Sequence, residues 1–306
     1  MRCLTTARRR IGAATSPARA GFIPPPEPGR GGHIRNIIME SNPTLTDVVG
    51  VKPPAPYIGG KRVLAERLVH RINQIPHASY CEAFVGMGGV FFRRTKRPSV
   101  EVINDWSADV ATLFRVLQRH YQAFLDMIRW QLSGRAEWDR LIRQDADTLT
   151  DLERAARFLY LQRNAYGGKV NGRNFAMTPA TPSRFDITRL AAMLEDVHER
   201  LAGVTIERLP WQDFIRRYDR AEALIYLDPP YWGNETDYGA GMFAREDFAR
   251  MAGQLHGLKG SFLLSINDRP EIRELFAWAR IEEVELNYRL SGKPTAAAEL
   301  IITSSR

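Results

Sequence analysis

The chain has 306 residues, enough to bury a substantial core as one large domain or two modest ones. Hydrophobic residues at 44% and charged residues at 25% suit a globular protein, and no apolar run reaches bilayer-spanning length, so no transmembrane segment is expected. The net charge of +8 points to an anionic partner, nucleic acid first, while two cysteines, Cys3 and Cys81, exclude a disulfide framework or a Cys-rich zinc site and suggest a reducing, intracellular compartment.

Residues 1–52 lack helical or strand periodicity and are rich in Arg, Ala, Gly and Pro, as at Arg8-Arg9-Arg10 and Pro24-Pro25-Pro26, so a disordered basic tail is expected there. The composition also allows an organellar transit peptide, although Gly and Pro interrupt any amphipathic helix; a working start at Met39 explains the stretch equally well. The folded domain is expected over 53–306.

That domain opens with Tyr57-Ile58-Gly59-Gly60-Lys61, after which Val63, Leu64, Leu68, Val69 and Ile72 recur at helical spacing. A Gly-Gly-Lys before a helix can present amides and a cation to an anion, but a plain turn accounts for the same residues. Tyr80–Val85 reads as a strand, followed by Gly86-Met87-Gly88-Gly89 and the apolar Val90-Phe91-Phe92. Strand, glycine turn and helix start bring backbone close to a nucleoside-bearing ligand, though neither the dinucleotide G-x-G-x-x-G nor a P-loop is present.

The next strand, Val100–Ile103, ends in Asn104-Asp105, with Asp105 placed 19 positions after Gly86. That is near the offset of roughly 20 at which an acid takes both ribose hydroxyls, and the alternative is a helix cap. Glycine turn plus spaced acid argues for an adenosine-containing ligand without a diphosphate.

A single helix is expected from Ala108 to about Leu132 and another over Leu152–Gln162. From Arg163 to Arg184 periodicity stops. Arg163, Lys169, Arg173 and Arg184 stand there without an acid, interleaved with Tyr166 and Phe175 and with Asn164, Asn171 and Asn174. Cations on phosphates and amides on base edges would suit nucleic acid; an ordinary solvated loop is the plainer reading.

A helix over Thr188–Leu201 and a strand over Val204–Glu207 lead to Trp211-Gln212-Asp213-Phe214. The apolar strand Ala223–Leu227 then delivers Asp228-Pro229-Pro230-Tyr231 at its carboxyl end, where open α/β sheets bind ligands, although a Pro-rich exit turn would look the same. Gly233–Gly241 is expected to be a mobile loop over the site. The remainder reads as helix Glu246–Leu258, strand Ser261–Ile266 ending in Asn267-Asp268, helix Glu271–Ala277 and a closing pair, Ile281–Leu290 with Ala298–Thr303. The fold expected is α/β: a doubly wound, Rossmann-like sheet with a terminal β-hairpin and an inserted, mainly helical region over 133–203.

From Tyr57 to about Ser304 these motifs, in this order, resemble the Dam-type (D12 class) adenine-specific DNA methyltransferases, in particular solitary prophage-borne members, since no nuclease motif accompanies them. The resemblance implies transfer of a methyl group from S-adenosylmethionine to the N6 amine of an adenine flipped out of double-stranded DNA. It also implies that no metal is required, and that the protein is a cytoplasmic, nucleoid-associated monomer or weak dimer with no membrane partner. Tyr57, Lys61, Glu82, Phe84, Gly86, Gly88, Asp105, Asp213, Phe214 and Asp228 would bind the cofactor, and Asp228, Pro229, Pro230 and Tyr231 would form the catalytic signature. Arg163, Asn164, Tyr166, Lys169, Asn171, Arg173 and Asn174, within 133–203, would contact DNA. The segment matches GATC-methylating members at Arg163, Tyr166, Gly168, Gly172 and Phe175 but carries Lys169 and Asn171 near positions where those have Leu and Arg, so a target other than GATC is expected. The competing readings are methyl transfer to another amine (RNA adenine, cytosine or a protein glutamine) and a DNA-binding protein of the same fold without turnover.

Overall fold

Seven segments pair into one sheet: β1 Ser79–Glu82, β2 Val100–Asn104, β3 Thr205–Glu207, β4 Ala223–Leu227, β5 Ser261–Asn267, β6 Arg280–Leu290 and β7 Lys293–Thr303. The computed structural model describes residues 45–305, apart from 62, 177–179, 181, 240 and 291–292, and gives backbone alone at 286–290 and 293–297. Met39 and the arginine run Arg8–Arg10 lie outside the described residues. The strand order is β3-β2-β1-β4-β5-β7-β6; β1 to β5 run parallel, and β7 joins β5 antiparallel before turning back into β6.

β4 explains the layering. All five of its residues are buried, with Leu224 and Tyr226 in one apolar cluster and Ile225 and Leu227 in the other. Alternate side chains of a strand point to opposite faces, so a strand buried on both sides reads as one continuous apolar run. On the Tyr226 face pack helices α1 Ala65–Gln74, α2 Ala108–Arg119, α5 Asp151–Asn164 and α6 Ile187–Arg200, through Leu68, Leu113, Phe158 and Leu190 among others. On the Leu227 face pack α7 Trp211–Tyr218, α8 Arg245–His256 and α9 Pro270–Leu275, through Phe214, Phe248 and Ile272. Helices on both faces of a mostly parallel sheet make the doubly wound architecture expected.

Among the differences from the sequence reading, three change the packing. Ordered structure begins before residue 53: Thr46–Asp47 pairs antiparallel with Lys96–Arg97, and the Val51 amide donates to the Phe92 carbonyl at 2.7 Å. The single helix expected over 108–132 is two, α2 and α3 Tyr121–Ile128. The break falls at His120 (φ −127°, ψ 30°), and it lets Tyr121 stack on His198 of α6 with ring centroids 4.8 Å apart. A further helix, α4 Arg135–Arg143, escaped notice because only Trp138 and Leu141 mark its buried side. No described helix is long and apolar enough to cross a membrane.

At the end of the sheet away from the carboxyl termini of the strands, Glu101 of β2 is fully buried and holds three arginines. Its carboxylate accepts from Arg94 Nη1 at 2.6 Å and from Arg200 Nη1 and Nη2 at 2.7 Å, and Arg97 Nε lies 3.0 Å away. The cluster fastens α6 and the 94–97 segment to β2. Removing one partner of a buried ion pair leaves uncompensated charge, at a cost of about 3–5 kcal/mol. Glu101→Ala should therefore lower the free energy of urea unfolding by about that amount, and a loss under about 1 kcal/mol would show that the arginines find other partners.

Candidate active site

The strand register sets the site before any side chain is considered. Glu82, last residue of β1, pairs with Ile103 of β2 on one side and Tyr226 of β4 on the other. Asp105 and Asp228 therefore emerge two residues further along their strands, flanking Glu82. The winding of the sheet reverses here, since β2 and β3 lie to one side of β1 and β4 and β5 to the other. Such a switch point is where an open sheet leaves a crevice. It holds a cavity of about 840 Å³ lined by Tyr57, Lys61, Glu82, Phe84, Gly86, Asp105, Asp228 and Pro230 of the residues expected from sequence, and by Arg163 of those expected at DNA, joined by Trp106, Tyr238 and Phe243. The volume lies within the ~300–1,000 Å³ usual for small-molecule sites.

Asp228 is held by Lys61 and Ser265. Lys61 Nζ, on a side chain only 2% exposed, lies 2.7 Å from Asp228 Oδ1 and donates to the Tyr231 hydroxyl at 2.7 Å. Ser265 Oγ of β5 donates to Asp228 Oδ1 at 3.2 Å and lies 2.8 Å from the Tyr226 hydroxyl. Glu299 of β7 stands 3.8 Å from Lys61. Beyond the two prolines, Asn267 clamps Trp232 by accepting from its amide at 2.9 Å and donating to its carbonyl at 3.0 Å, so the chain leaves the strand on a fixed path.

The glycine turn and the β2 acid form a second unit. Asp105 accepts from the Gly86 amide at 2.9 Å and from the Ser107 amide at 2.8 Å. Gly86 has φ 51°, and a Cβ there would sit 2.9 Å from the Tyr57 ring, so both conformation and close approach require glycine. Asn104 takes a supporting place: it donates to the Ala83 carbonyl at 2.9 Å and accepts from the Leu209 amide at 2.8 Å. Tyr238 of the 233–241 loop reaches over the cavity, its hydroxyl donating to the Ile58 carbonyl at 3.1 Å and its ring 5.8 Å from that of Tyr57.

Three carboxyl groups thus face one cavity. Burial pushes Glu82 up to about 8, against the Tyr80 hydroxyl that donates to it at 2.7 Å, with the Asp228 charge adding to the rise. Burial also raises Asp105 to about 6, opposed by its two backbone donors. For Asp228 burial again leads and Lys61 opposes it, leaving a value of about 6. At neutral pH, Asp105 and Asp228 are ionised while Glu82 keeps its proton.

Other expected site residues fall elsewhere. Asp213 and Phe214 do not line the cavity. Helical phase turns Trp211, Phe214 and Ile215 inward and leaves Asp213 half exposed, 2.8 Å from Arg216. α7 meets the cavity wall through the Trp211–Phe243 contact, at 6.3 Å between rings. Gly88 (φ 72°) also lies outside the lining, beneath Phe92. The basic segment divides in two. Arg163, Asn164 and Arg173 turn inward: Arg163 donates to the carbonyls of Pro54 at 2.7 Å and Arg184 at 3.0 Å, buried Asn164 donates to Tyr160 O, and Arg173 reaches Gln162. Tyr166, Lys169, Asn171 and Asn174 are exposed. Ser265 and Tyr238 carry no role in the sequence reading, and Asn267 stands there only as a strand end. A Ser within the apolar strand Ser261–Asn267 was the available signal, because buried hydroxyls need partners.

Comparison with known proteins agrees with this geometry. Residues 57–290 match the family model of the D12 class N6 adenine-specific DNA methyltransferases. The chain is 24% identical over 279 residues to the type II methyltransferase M1.LlaDCHI of Lactococcus lactis subsp. cremoris, covering 84% of this chain and 96% of that protein. It is 23% identical over 243 residues to the type II methyltransferase M.CviBI of Paramecium bursaria Chlorella virus NC1A, covering 78% and 92%.

The Glu82 carboxyl makes stability depend on pH. Its folded value of about 8 exceeds the ordinary 4.5, so its proton favours the folded chain fully below 4.5, and that stability is lost as pH rises through 8. Asp105 and Asp228 contribute the same sign only up to about 6, which leaves the interval from 6 to 8 to Glu82. Across that interval the unfolding free energy of the wild type should fall relative to Glu82→Gln, measured by urea titration at several pH values. Parallel curves would mean that Glu82 is ionised in the folded protein.

Proposed function

The chain belongs to the D12 class of N6 adenine-specific DNA methyltransferases, and on that premise we propose which of its residues bind, hold and activate the reactants. The enzyme methylates the N6 amine of adenine in DNA; family membership sets aside RNA, cytosine and protein amides as the primary substrate and argues for turnover rather than binding alone. The observation that carries the assignment is Asp228, an ionised carboxylate at the carboxyl end of β4, fixed by Lys61 and Ser265 at the wall of the cavity.

The cavity suits S-adenosylmethionine. Carboxyls at Glu82, Asp105 and Asp228 complement a cation and a ribose diol, and the rings of Tyr57, Phe84 and Phe243 offer apolar faces to a heteroaromatic base. When bound, that cofactor supplies an electrophilic methyl. Asp105, already oriented by two backbone amides, would take the ribose hydroxyls, and Gly86 would let the chain approach closely. Asp213 and Phe214 would act through Trp211 and Phe243, by supporting the wall.

The adenine amine is a weak nucleophile because its lone pair is conjugated with the ring. Asp228 and the Pro229 carbonyl would accept its two hydrogens, placing negative charge and a dipole where positive charge builds on nitrogen. Lys61 keeps Asp228 ionised, while Pro229 and Pro230 stiffen the carbonyl's position because their φ angles are fixed. Attack would form the N6–methyl bond as the sulfonium–methyl bond breaks, leaving a neutral thioether, and the surplus N6 proton would then pass to solvent, so Asp228 need not be a strong base. A stacked base cannot reach this point, so the adenine must leave the duplex, with Tyr231 as the ring on which it rests. Exposed Tyr166, Lys169, Asn171 and Asn174 would meet double-stranded DNA, with Arg163, Asn164 and Arg173 bracing them from within the 133–203 region. We infer a monomer or weak dimer acting on double-stranded DNA in the cytoplasm, at a target other than GATC.

In a host lacking its own adenine methylation, expression of the protein should place N6-methyladenine at one recurring sequence. With Asp228→Ala that modification should disappear, as kcat falls by at least ~10²–10³, while duplex affinity stays within about twofold. Residual turnover near wild type would remove Asp228 from the chemistry. Lys169→Ala should weaken duplex binding and lower the slope of log affinity against log salt by about 1, read by fluorescence anisotropy; an unchanged slope would place Lys169 away from phosphate.

A further inference from the structure

We propose that Gln162 is a positioning residue that couples engagement of DNA by the 166–174 loop to the affinity of the cofactor cavity. The proposal rests on the assignment of that loop and that cavity made above. Gln162 lies on the buried side of α5 near its carboxyl end and is fully buried, and its amide is used on every side. Nε2 donates to the Pro56 carbonyl at 2.9 Å and to the Gly168 carbonyl at 2.7 Å, while Oε1 accepts from Arg173 Nη2 at 3.2 Å. One side chain therefore ties together the wall before Tyr57, the turn at Gly168 and the cation at Arg173.

Its neighbours repeat the connection. The Ile58 amide donates to the same Gly168 carbonyl at 2.9 Å, and Arg163 donates to the Pro54 carbonyl at 2.7 Å. The strip from Pro54 to Ile58 is thus gripped at three backbone atoms from the recognition side. Its other side lines the cavity, with the Tyr57 ring against Gly86 and the Ile58 carbonyl bonded to Tyr238. A displacement of the loop by DNA must move or stiffen this strip, because a buried amide with all its partners cannot shift alone without leaving polar groups unpaired. Linkage then requires the reverse: an occupied cavity strengthens DNA binding by the same factor.

The experiment measures the dissociation constant of S-adenosylhomocysteine, which cannot react, with and without saturating duplex carrying the methylated sequence mapped in cells. The wild type should bind it at least ~5-fold more tightly with DNA, the lower end of typical coupling between sites. Gln162→Met keeps the size and loses the hydrogen bonds; it should reduce that ratio below about twofold while DNA-free affinity stays within about threefold, a split that a general loss of stability would not produce. In the wild-type protein, duplex should also slow hydrogen exchange in the 54–58 segment, a reading independent of whether the variant folds. A wild-type ratio near one, a variant that keeps the wild-type ratio, or exchange unaffected by DNA would each overturn the coupling. A wild type that transfers methyl groups but gives any of these results loses only this inference, whereas one that neither binds S-adenosylhomocysteine nor modifies DNA loses the functional assignment as well.

Discussion

Three carboxyl groups crowd one buried crevice, and the architecture around it answers the electrostatic problem they create. Burial alone would hold all three neutral. Asp105 is kept ionised by the amides of Gly86 and Ser107, Asp228 by the buried ammonium of Lys61, and Glu82 is left protonated with the Tyr80 hydroxyl beside it. Separating similar acids by environment is how one site presents both neutral and charged groups at neutral pH. The parallel register of β1 between β2 and β4 is what brings the three together, so the electrostatics follow from strand pairing.

The fixed geometry of Asp228 is built mainly by β5. Ser265 bonds the carboxylate and Asn267 grips Trp232, so the strand beside β4 controls both the acid and the course of the chain beyond the prolines. In the role proposed for Asp228, preorganisation of this kind would matter more than proton affinity, because charge developing on the amine would meet groups that need not reorient. At the far end of the sheet the Glu101 cluster has a purely structural part, locking α6, and with it one end of the inserted region, onto β2. Helices α5 and α6 are accordingly packed into the core of the domain against α2, and α5 meets the cavity through a shared wall.

Much of this was legible along the chain. Tyr57, Lys61, Glu82, Phe84, Gly86, Asp105 and Asp228 all line the cavity because each sits at or just beyond a strand end, or in the segment leading to α1, where position along the sequence nearly fixes position in space. The continuous apolar run of β4 and the alternation of strands with helices were enough for the layered fold. The break at His120 was not, since the pattern Ala108–Leu132 stays amphipathic across it and only stacking against α6 shows why the chain turns.

The sequence by itself determined which residue types stand where along the chain: an acid with two prolines at a strand end, a glycine turn and a second acid 19 positions after Gly86. Tertiary structure alone decided which half of the basic segment faces outward, that Asp213 and Phe214 stand behind the wall, and that Ser265, Asn267 and Gln162 hold the site together. The reason is physical. Strand periodicity and motif spacing are local properties, whereas the burial of Arg163 or the partners of Gln162 depend on backbone carbonyls more than a hundred residues away, which come into reach only when the sheet closes on its helices.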